Sequence, residues 1–334
     1  MKSVYFSGPR RPFEVRDEDM PEPGPCEVRI STRASGVCGT DIHYWTGILP
    51  LASPWVLGHE PVGVVDALGP GVTSLRIGDR VGVSWVQEGC GRCRWCQIRK
   101  PDYCADQYSW MTLGGGHREF MIARAAGCTL LPEALDWRIA APLFCAGYTV
   151  MSGYRNASPK PGDRIGVIGI GGLGHLAIQI AKAYGHEVIG ITSQEVKRKE
   201  ILQIGADEAL VVRNHVGKEL ADAGGVDVLL STSNLMRYNS EAIAGIRREG
   251  KLISMAIGKD AIAIDPLHLL DHQISIVGSQ QCGRNDLVEV LELAARGKVT
   301  PMIEVYRPDA INEVMARLAD GKVRYRAVLD FGGA

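Results

Sequence analysis

The pattern of apolar and polar positions changes character near the middle of the chain. Up to about residue 145, short alternating runs are interrupted by Gly and Pro, which is typical of β-strands joined by turns. Strands are predicted at residues 27–34, 62–65 and 80–86, with turns at 69–71 and 78–79. The first part of the chain is therefore predicted to be a β-rich domain.

From residue 165 onward, short apolar runs alternate with amphipathic segments. A helix is predicted over about residues 173–184, and a second one rich in Lys and Glu follows the next strand. The predicted strands of this region are residues 165–168, 187–191, 226–230, 252–255 and 274–277. Strands and helices alternating in this way predict a parallel, doubly wound sheet.

The order of these segments predicts an α/β protein with two domains. We expect a β-rich domain formed by residues 1–148 and 280–334, with a cysteine lobe at about residues 88–105. Residues 149–279 are expected to form a nucleotide-binding domain. The last part of the chain returns to mixed elements, with amphipathic helices predicted at 287–296 and 311–318.

Composition narrows the possible partners. The chain has 334 residues, enough for about two domains, and a formal net charge of -1 without a basic stripe. This balance argues against a nucleic acid or an anionic membrane as partner. No apolar run approaches the roughly 18 residues of a spanning helix, and the first twelve residues do not resemble a signal peptide. With nine cysteines, the expected setting is the cytoplasm.

Four cysteines lie within a short segment and are spaced C-x2-C-x2-C-x7-C. They are Cys90, Cys93, Cys96 and Cys104. This spacing favours four thiolates around one tetrahedral zinc ion, with disulfide bonds as the alternative. A site closed by four sulfurs has no open position, so the predicted zinc is structural.

A glycine-rich turn follows the predicted strand at 165–168. Gly169, Gly171 and Gly174 form G-x-G-x-x-G, with Gly172 and Leu173 between them, and a helix follows. In this context the first glycine permits a tight turn, the second lets the backbone approach a pyrophosphate, and the third lets helix and strand pack. The alternative is an ordinary turn whose glycines serve packing alone.

The end of the next strand bears on the choice of cofactor. An acidic residue there accepts a hydrogen bond from the ribose 2′-hydroxyl and favours NAD. This chain instead has Thr192 and Ser193, followed by Lys197 in a basic cluster, and these groups favour the 2′-phosphate of NADP(H). Glu195 adds negative charge nearby, and the alternative is that these are capping and surface residues, with NAD as cofactor.

Cys38, His59 and Cys145 are further candidates for metal ligands. Their distant positions in the sequence do not group them. A lone cysteine is usually a small core residue, and a lone histidine in an apolar strand is usually a core residue with a hydrogen-bond partner. From the residues alone both interpretations stay open.

Several short motifs together resemble those of one enzyme family. They are CGTDIH at 38–43, GHEPVG at 58–63, GDRV at 78–81, LFCAGYT at 143–149, GIGGLGH at 169–175 and the four-cysteine lobe. With them the chain resembles the zinc-dependent medium-chain alcohol dehydrogenases over essentially its whole length. The resemblance implies a GroES-like catalytic domain and a Rossmann cofactor-binding domain. The residues that bear on the choice of cofactor are most similar to those of NADPH-dependent aldehyde reductases and cinnamyl alcohol dehydrogenases.

The resemblance implies two zinc ions per chain. Cys38, His59 and Cys145 would hold a catalytic zinc with its fourth position open to water or substrate, in addition to the structural zinc of the lobe. Glu60 would be an acid that approaches the metal during ligand exchange. Asp41 would orient His59 through a hydrogen bond, and its alternative role is to cap a turn.

The resemblance also implies roles for residues around the metal. Thr40 would bond the substrate oxygen, and His43 would be the far end of a proton relay, or else a plain surface histidine. Arg326 falls where the family has an arginine that contacts the cofactor pyrophosphate. Gly39 replaces a His or Arg that reaches the cofactor phosphates in some relatives. The candidates for an apolar substrate pocket are Trp85, Trp55 and Trp110, each of which could instead be core packing.

The expected function is reversible hydride transfer between NADP(H) and a primary alcohol or its aldehyde. The alternatives are an NAD-dependent polyol or secondary-alcohol dehydrogenase of the same superfamily and a zinc- and nucleotide-binding protein without catalysis. Cys145 argues against the polyol branch, whose third ligand is usually Glu. The expected partners are a small-molecule substrate and further copies of the chain, in a homodimer or homotetramer. The remaining cysteines, Cys26, Cys128 and Cys282, are expected to be buried and inert.

Overall fold

Eighteen strands lie along residues 1–332, the part of the chain that the computed structural model describes. In chain order they are β1 (Lys2–Phe6), β2 (Glu14–Asp17), β3 (Glu27–Val37), β4 (Trp55–Val56), β5 (Pro61–Leu68), β6 (Arg80–Val83), β7 (Val86–Glu88), β8 (Tyr108–Ser109), β9 (Phe120–Arg124), β10 (Cys128–Leu130), β11 (Arg164–Ile168), β12 (Glu187–Thr192), β13 (Glu208–Val211), β14 (Val226–Ser231), β15 (Ile246–Ser254), β16 (Ser275–Gly278), β17 (Ile303–Tyr306) and β18 (Arg326–Asp330).

Helices connect these strands. They are α1 (Gly39–Trp45), α2 (Arg94–Gln97), α3 (Trp110–Leu113), α4 (Trp137–Ala140), α5 (Ala146–Ala157), α6 (Gly174–Ala183), α7 (Arg198–Ile204), α8 (Val216–Asp222), α9 (Met236–Ala242), α10 (Pro266–His272), α11 (Arg284–Ala295) and α12 (Ile311–Ala319). The helices predicted at 173–184, 287–296 and 311–318 correspond to α6, α11 and α12.

The described residues divide into two units. Unit 1 comprises Met1–Ala146, Cys282–Ala295 and the residues from Pro301 onward, and unit 2 comprises Gly147–Gln281 and Arg296–Thr300. The sequence analysis assigns 296–300 to the first domain. In the structure, Gln179 of unit 2 donates from Nε2 to Thr300 O at 3.1 Å and accepts from Thr300 N at 2.8 Å, which holds this segment in unit 2. The last two residues of the predicted first domain lie outside the described residues.

Unit 1 is built around a seven-stranded sheet in the order β10-β6-β5-β3-β18-β17, with β9 also paired to β3. The long strand β3 pairs with β9 along its first half and with β18 along its second half. A three-stranded sheet β2-β1-β4 and the hairpin of β7 and β8 complete the strands of this unit. Because β3 is central, its end is held on both sides by backbone hydrogen bonds.

Two apolar clusters form the core of unit 1. One lies on the seven-stranded sheet and includes Val28, Ile30 and Val65, alternate positions on their strands. The other joins α1 and α12 to β1 and β18 and includes Tyr44, Leu57 and Trp110. The strands and helices that position the candidate metal ligands are therefore well packed.

Unit 2 contains a six-stranded parallel sheet in the order β13-β12-β11-β14-β15-β16. Counted from β11 this order is 3-2-1-4-5-6, the order of a dinucleotide-binding sheet. Every residue of β11 is buried, as expected for a central parallel strand covered on both faces. The predicted fold class, a GroES-like β-rich part and a Rossmann part, is confirmed.

Two strand predictions require correction. Residues 80–86 are not one strand, because β6 ends at Val83 and β7 begins at Val86, where Ser84 Oγ donates to Val86 O at 3.2 Å. Strand β15 begins at Ile246, well before the predicted start at 252. Its first half is charged and exposed, so the apolar pattern did not indicate a strand there.

Within residues 1–332, none of the helices has both the length and the apolar composition needed to cross a membrane.

Candidate active site and metal centres

Cys38, His59 and Cys145 converge in unit 1, together with Glu60. One ligand atom from each of these four residues lies within 4.8 Å of the ligand atoms of the other three. The Sγ atoms of Cys38 and Cys145 are 3.8 Å apart. The structure thus brings together the three residues that the sequence could not group by spacing.

Three different elements deliver these side chains. Cys38 directly follows β3 and is the N-cap of α1. His59 lies between β4 and β5 and is buried, and Cys145 follows the 3-10 turn Ala141–Phe144. Because each residue lies just outside a buried element, the backbone fixes where its side chain points.

The donor set fits a zinc ion. Both ring nitrogens of His59 are buried and have no hydrogen-bond partner within residues 1–332, an arrangement that a metal bond to one nitrogen would relieve. The pKa of Cys38 is lowered because it accepts a hydrogen bond from Cys145, although burial opposes this. The pKa of Cys145 is raised by the same hydrogen bond and by burial. Two thiolates and one imidazole are ligands that zinc prefers.

Glu60 and Arg326 form a buried ion pair beside this cluster, which the sequence analysis did not predict. An Nη atom of Arg326 donates to Glu60 Oε1, and Arg326 is only 3% exposed. Burial raises the pKa of Glu60 to about 7, and the charge of Arg326 counteracts part of this rise. A charged residue at the start of β18, directly before its apolar run, was the signal that Arg326 needs a buried partner. Its contact with a cofactor pyrophosphate stays a prediction.

The hydrogen bond predicted between Asp41 and His59 is not made. The distance from Asp41 Oδ1 to His59 Nδ1 is 3.7 Å, too long for a hydrogen bond, though close enough for an electrostatic interaction. Asp41 Oδ2 accepts from the backbone N of Cys38 at 2.7 Å. Asp41 therefore caps the first turn of α1, and burial raises its pKa to about 6. This geometry corresponds to the alternative role considered for Asp41.

Thr40 and His43 both lie on α1, the helix whose N-cap is Cys38. Thr40 Oγ1 is 3.8 Å from Cys38 Sγ, so its hydroxyl is beside one candidate ligand. His43 is half-buried, and its Nδ1 has no partner among the residues that the structure describes. The helix thus places a hydroxyl and an imidazole on the same element as Cys38, and their roles in proton transfer stay predictions.

Two of the three predicted pocket tryptophans border His59. The ring centroids of Trp85 and His59 are 5.2 Å apart in an edge-to-face contact, and Trp85 is half-buried. Trp110 packs against both rings but is only 1% exposed, which favours core packing over a cleft-lining role. Trp55 is half-buried and packs against the same apolar cluster. Of the three, Trp85 is the one that contacts the His59 ring without being fully buried, and its role in a substrate pocket stays a prediction.

The four cysteines of the lobe form the second cluster of potential metal ligands. The Sγ atoms of Cys90, Cys93, Cys96 and Cys104 all lie within 4.8 Å of one another. Cys93 precedes the short helix α2, Cys96 lies in it, and their Sγ atoms are 3.6 Å apart. Backbone N–H groups of Arg92 and Cys93 lower the pKa of Cys90 to about 6. The four-sulfur geometry fits a tetrahedral zinc ion.

We expect Cys104→Ser to remove the metal ion of this lobe and to lower the melting temperature by about 5 °C, equivalent to about 3 kcal/mol for a chain of this length. The reason is that a structural ion contributes folding free energy through its ligands. Elemental analysis and thermal unfolding measure both effects. Cys26→Ser is the matched control, because Cys26 belongs to neither cluster. Unchanged metal content in Cys104→Ser would rule out the lobe site.

The glycine-rich turn of unit 2 has the geometry that a pyrophosphate requires. Gly169 has φ +91, and a Cβ there would lie 2.6 Å from Ser233 N, so only glycine fits. A Cβ on Gly171 would meet no atom within 4 Å, which leaves an open approach to its backbone. A Cβ on Gly174 would crowd Gly169 O. Leu173 is the N-cap of α6 without a side-chain cap, and Gly172 lies beside it in the turn.

Two residues that the sequence analysis did not single out hold this turn. Thr232 Oγ1 donates to Gly169 O at 2.6 Å, from the segment after β14. His175 Nδ1 donates to Gly171 O at 2.9 Å, and His175 is fully buried. The hydroxyl and the imidazole fix two carbonyls of the turn, so its N–H groups keep their directions.

The residues predicted to select the cofactor lie at the end of β12. Thr192 is half-buried and accepts at Oγ1 from Gln194 N at 3.2 Å, and Ser193 is exposed. Lys197 reaches back and donates from Nζ to Ile170 O at 2.8 Å, inside the glycine-rich turn. Glu195 pairs with Arg198 at 2.7 Å, so the negative charge noted in the sequence has a positive partner.

Two of the remaining cysteines differ from the prediction that they are buried. Cys26 is exposed and lies in a turn with φ +61, and Cys282 is only half-buried, whereas Cys128 is buried. Burial raises the pKa of Cys128 to about 12, as expected for an inert thiol.

Comparisons with known proteins agree with this geometry. Residues 24–133 match the alcohol dehydrogenase GroES-like domain, and residues 172–296 match the zinc-binding dehydrogenase family. An alcohol dehydrogenase of Geobacillus stearothermophilus is 34% identical over 334 residues, covering 98% of this chain and 99% of that protein.

Two solved structures are similar over nearly the full length of both chains. A cinnamyl alcohol dehydrogenase of Sorghum bicolor is 30% identical with a TM-score of 0.90, covering 100% of this chain and 98% of the other. An acetophenone reductase of Geotrichum candidum, in complex with NAD, is 30% identical with a TM-score of 0.88 and the same coverage. With its two cysteine-containing clusters and its glycine-rich turn, this chain belongs to the zinc-binding, medium-chain alcohol dehydrogenase family.

Proposed function

We propose that this protein is a zinc-dependent oxidoreductase that transfers hydride reversibly between NADP(H) and a primary alcohol or its aldehyde. The observation that carries the proposal is the convergence of Cys38, His59 and Cys145 in one buried cluster. Three protein ligands leave one position open, which is the pattern of a catalytic zinc, whereas the four sulfurs of the lobe leave none. Two zinc ions per chain follow, one catalytic and one structural.

A zinc ion in this cluster would act as a Lewis acid toward the substrate oxygen, and a bound nicotinamide would donate or accept the hydride. The chain's own residues would handle the proton. Thr40, beside Cys38, would hold the hydroxyl proton of the alcohol through its Oγ1. His43 would exchange that proton with water, since an imidazole has one nitrogen that can accept a proton while the other donates one. Trp85 would exclude water from one side of the substrate.

Lys197 supports NADP(H) as the cofactor. Its ammonium group is held at the glycine-rich turn by the carbonyl of Ile170, next to the end of β12, where a Thr replaces the acid typical of NAD sites. The alternative, an NAD-dependent enzyme for secondary alcohols or polyols, is favoured by the similarity to a reductase bound to NAD and to an alcohol dehydrogenase named as NAD-dependent.

The substrate partner we propose is a small alcohol or aldehyde, and the chain would act as a homodimer or homotetramer, as the resemblance implies. The six cysteines of the two clusters need reduced thiols, and we therefore propose the cytoplasm as its compartment.

We expect NADPH to give a kcat/KM about tenfold or more above that of NADH in benzaldehyde reduction, since a charge-assisted contact with the 2′-phosphate contributes about 1.5–3 kcal/mol. Lys197→Ala is expected to lower the NADPH value much more than the NADH value, because only NADPH carries the 2′-phosphate, whereas the bond to Ile170 O supports the turn for both cofactors. Lys199→Ala, which changes an exposed lysine two residues further along the chain, in α7, serves as the matched control. Initial rates with benzaldehyde, acetophenone and sorbitol test the substrate class. Preference for NADH in acetophenone reduction, or for NAD⁺ in sorbitol oxidation, would favour the alternative enzyme.

A further inference from the structure

A buried histidine with no assigned role lies beside the candidate metal cluster. His117 is 1% exposed and follows three glycines, Gly114, Gly115 and Gly116. Burial lowers the pKa of His117 to about 3, so its ring is neutral. A buried polar ring needs a reason to be retained where an apolar side chain would pack as well.

The backbone around His117 is joined to the segment that leads to His59. Gly115 N donates to Val56 O at 2.9 Å, His117 N donates to Leu57 O at 3.0 Å, and Gly116 N donates to Gly58 O at 2.7 Å. These three hydrogen bonds follow one another along the residues just before His59. The segment that carries His117 therefore fixes the position of the backbone immediately before His59.

The ring of His117 packs directly on Gly58. Gly58 has φ +99, and a Cβ there would lie 2.5 Å from His117 Nδ1 and 2.8 Å from its Cγ. Only a glycine allows the ring to come this close to the backbone. The imidazole thus lies against the peptide that precedes His59.

The same ring is also tied to the strand that leads to Cys38. His117 Nδ1 and Ser35 Oγ are 2.9 Å apart, and both side chains are buried. Ser35 lies on β3, three residues before Cys38, and its position is fixed by pairing with Pro61 on one side and Leu329 on the other. One imidazole therefore connects the two segments that deliver Cys38 and His59.

We propose that His117 is a positioning residue for the metal cluster, because its ring, bonded to Ser35 and packed on Gly58, fixes the spacing between the backbone segments that present Cys38 and His59. This inference rests on the proposed function, since it assumes that the cluster holds a metal ion. It predicts that loss of the bond between His117 and Ser35 loosens this metal site and leaves the lobe unaffected.

The test measures the rate at which the full chain releases metal to a chelator. Cys145→Ser and Cys104→Ser each remove a ligand from one of the two sites, and they therefore assign the two release phases. We expect His117→Phe, which keeps an aromatic ring and removes Nδ1, to accelerate release from the Cys145 site about tenfold, the lower end of the effect of residues that orient metal ligands. Ser35→Ala should have the same effect, and the double variant should be no faster than either single variant. His117→Asn, which can still bond Ser35, should restore part of the slow release.

The visible spectrum of the Co²⁺-substituted protein gives a second measurement, since altered ligand geometry shifts its bands without any turnover. His186→Phe is the matched control, because His186 is also buried and bonded, to Tyr154 at 2.9 Å, but lies in unit 2. If His117→Phe does not fold, Ser35→Ala decides the question by changing a single oxygen atom.

Two results would overturn this proposal and leave the proposed function standing. One is release from the Cys145 site at the wild-type rate in both single variants. The other is equal acceleration of both release phases. Wild-type protein that binds metal only in the lobe would contradict the proposed function and this inference together. The outcomes are therefore distinguishable by the metal content of the wild-type chain.

Discussion

Cys145→Ser is expected to lower kcat/KM for both alcohol oxidation and aldehyde reduction by about 10⁴-fold, equivalent to about 5 kcal/mol of lost transition-state stabilisation. The serine hydroxyl is a poor replacement for a thiolate ligand, so the cluster of Cys38 and His59 would lose its metal or hold it in altered geometry. Steady-state kinetics in both directions and metal content per chain measure the effect.

The variant should retain its fold and its cofactor site, because Cys145 is in unit 1 and the glycine-rich turn is in unit 2. NADPH binding followed by fluorescence should therefore be unchanged. Cys128→Ala is the matched control, since it removes another buried thiol of unit 1 that belongs to neither cluster. If Cys145→Ser stayed within tenfold of wild-type activity, the Cys38 cluster could not be the site of the chemistry.

The two metal clusters differ in how far the sequence could predict them. The lobe was predicted from spacing, because four cysteines in one short segment can reach one ion without long-range folding. Cys38, His59 and Cys145 come from three separate elements, and only the packing of the chain around β3 brings those elements together. The prediction that these three residues form one site therefore depended on the family resemblance.

The partners of the functional side chains were predicted least well. Arg326 with Glu60 and His117 with Ser35 are pairs of residues far apart in the sequence, and residue type alone does not say which buried groups meet. Lys197 was predicted near the cofactor, but its bond to Ile170 O depends on the course of the turn after β11. Sequence patterns predict which residues lie at the end of an element, whereas three-dimensional packing decides what each side chain contacts.

The glycine-rich turn allows a sharper test, because its glycines serve different purposes. We expect Gly171→Ala to weaken NADPH binding about 100-fold, or about 3 kcal/mol, the upper end of the cost of adding a methyl group to a close contact. A Cβ on Gly171 meets no protein atom within 4 Å, and Gly171 is not among the residues with positive φ. The added methyl group is therefore expected to affect the approach of the pyrophosphate and not the fold.

Gly174→Ala in the same turn is the contrasting variant. Its Cβ would crowd the carbonyl of Gly169, so α6 and β11 would have to separate and thermal stability would fall. Titration with NADPH and thermal unfolding of both variants distinguish the two effects. Gly171→Ala should change binding without changing the melting temperature, and Gly174→Ala should lower the melting temperature. Wild-type affinity in Gly171→Ala would mean that no phosphate approaches this backbone, and the cofactor would have to bind elsewhere on unit 2.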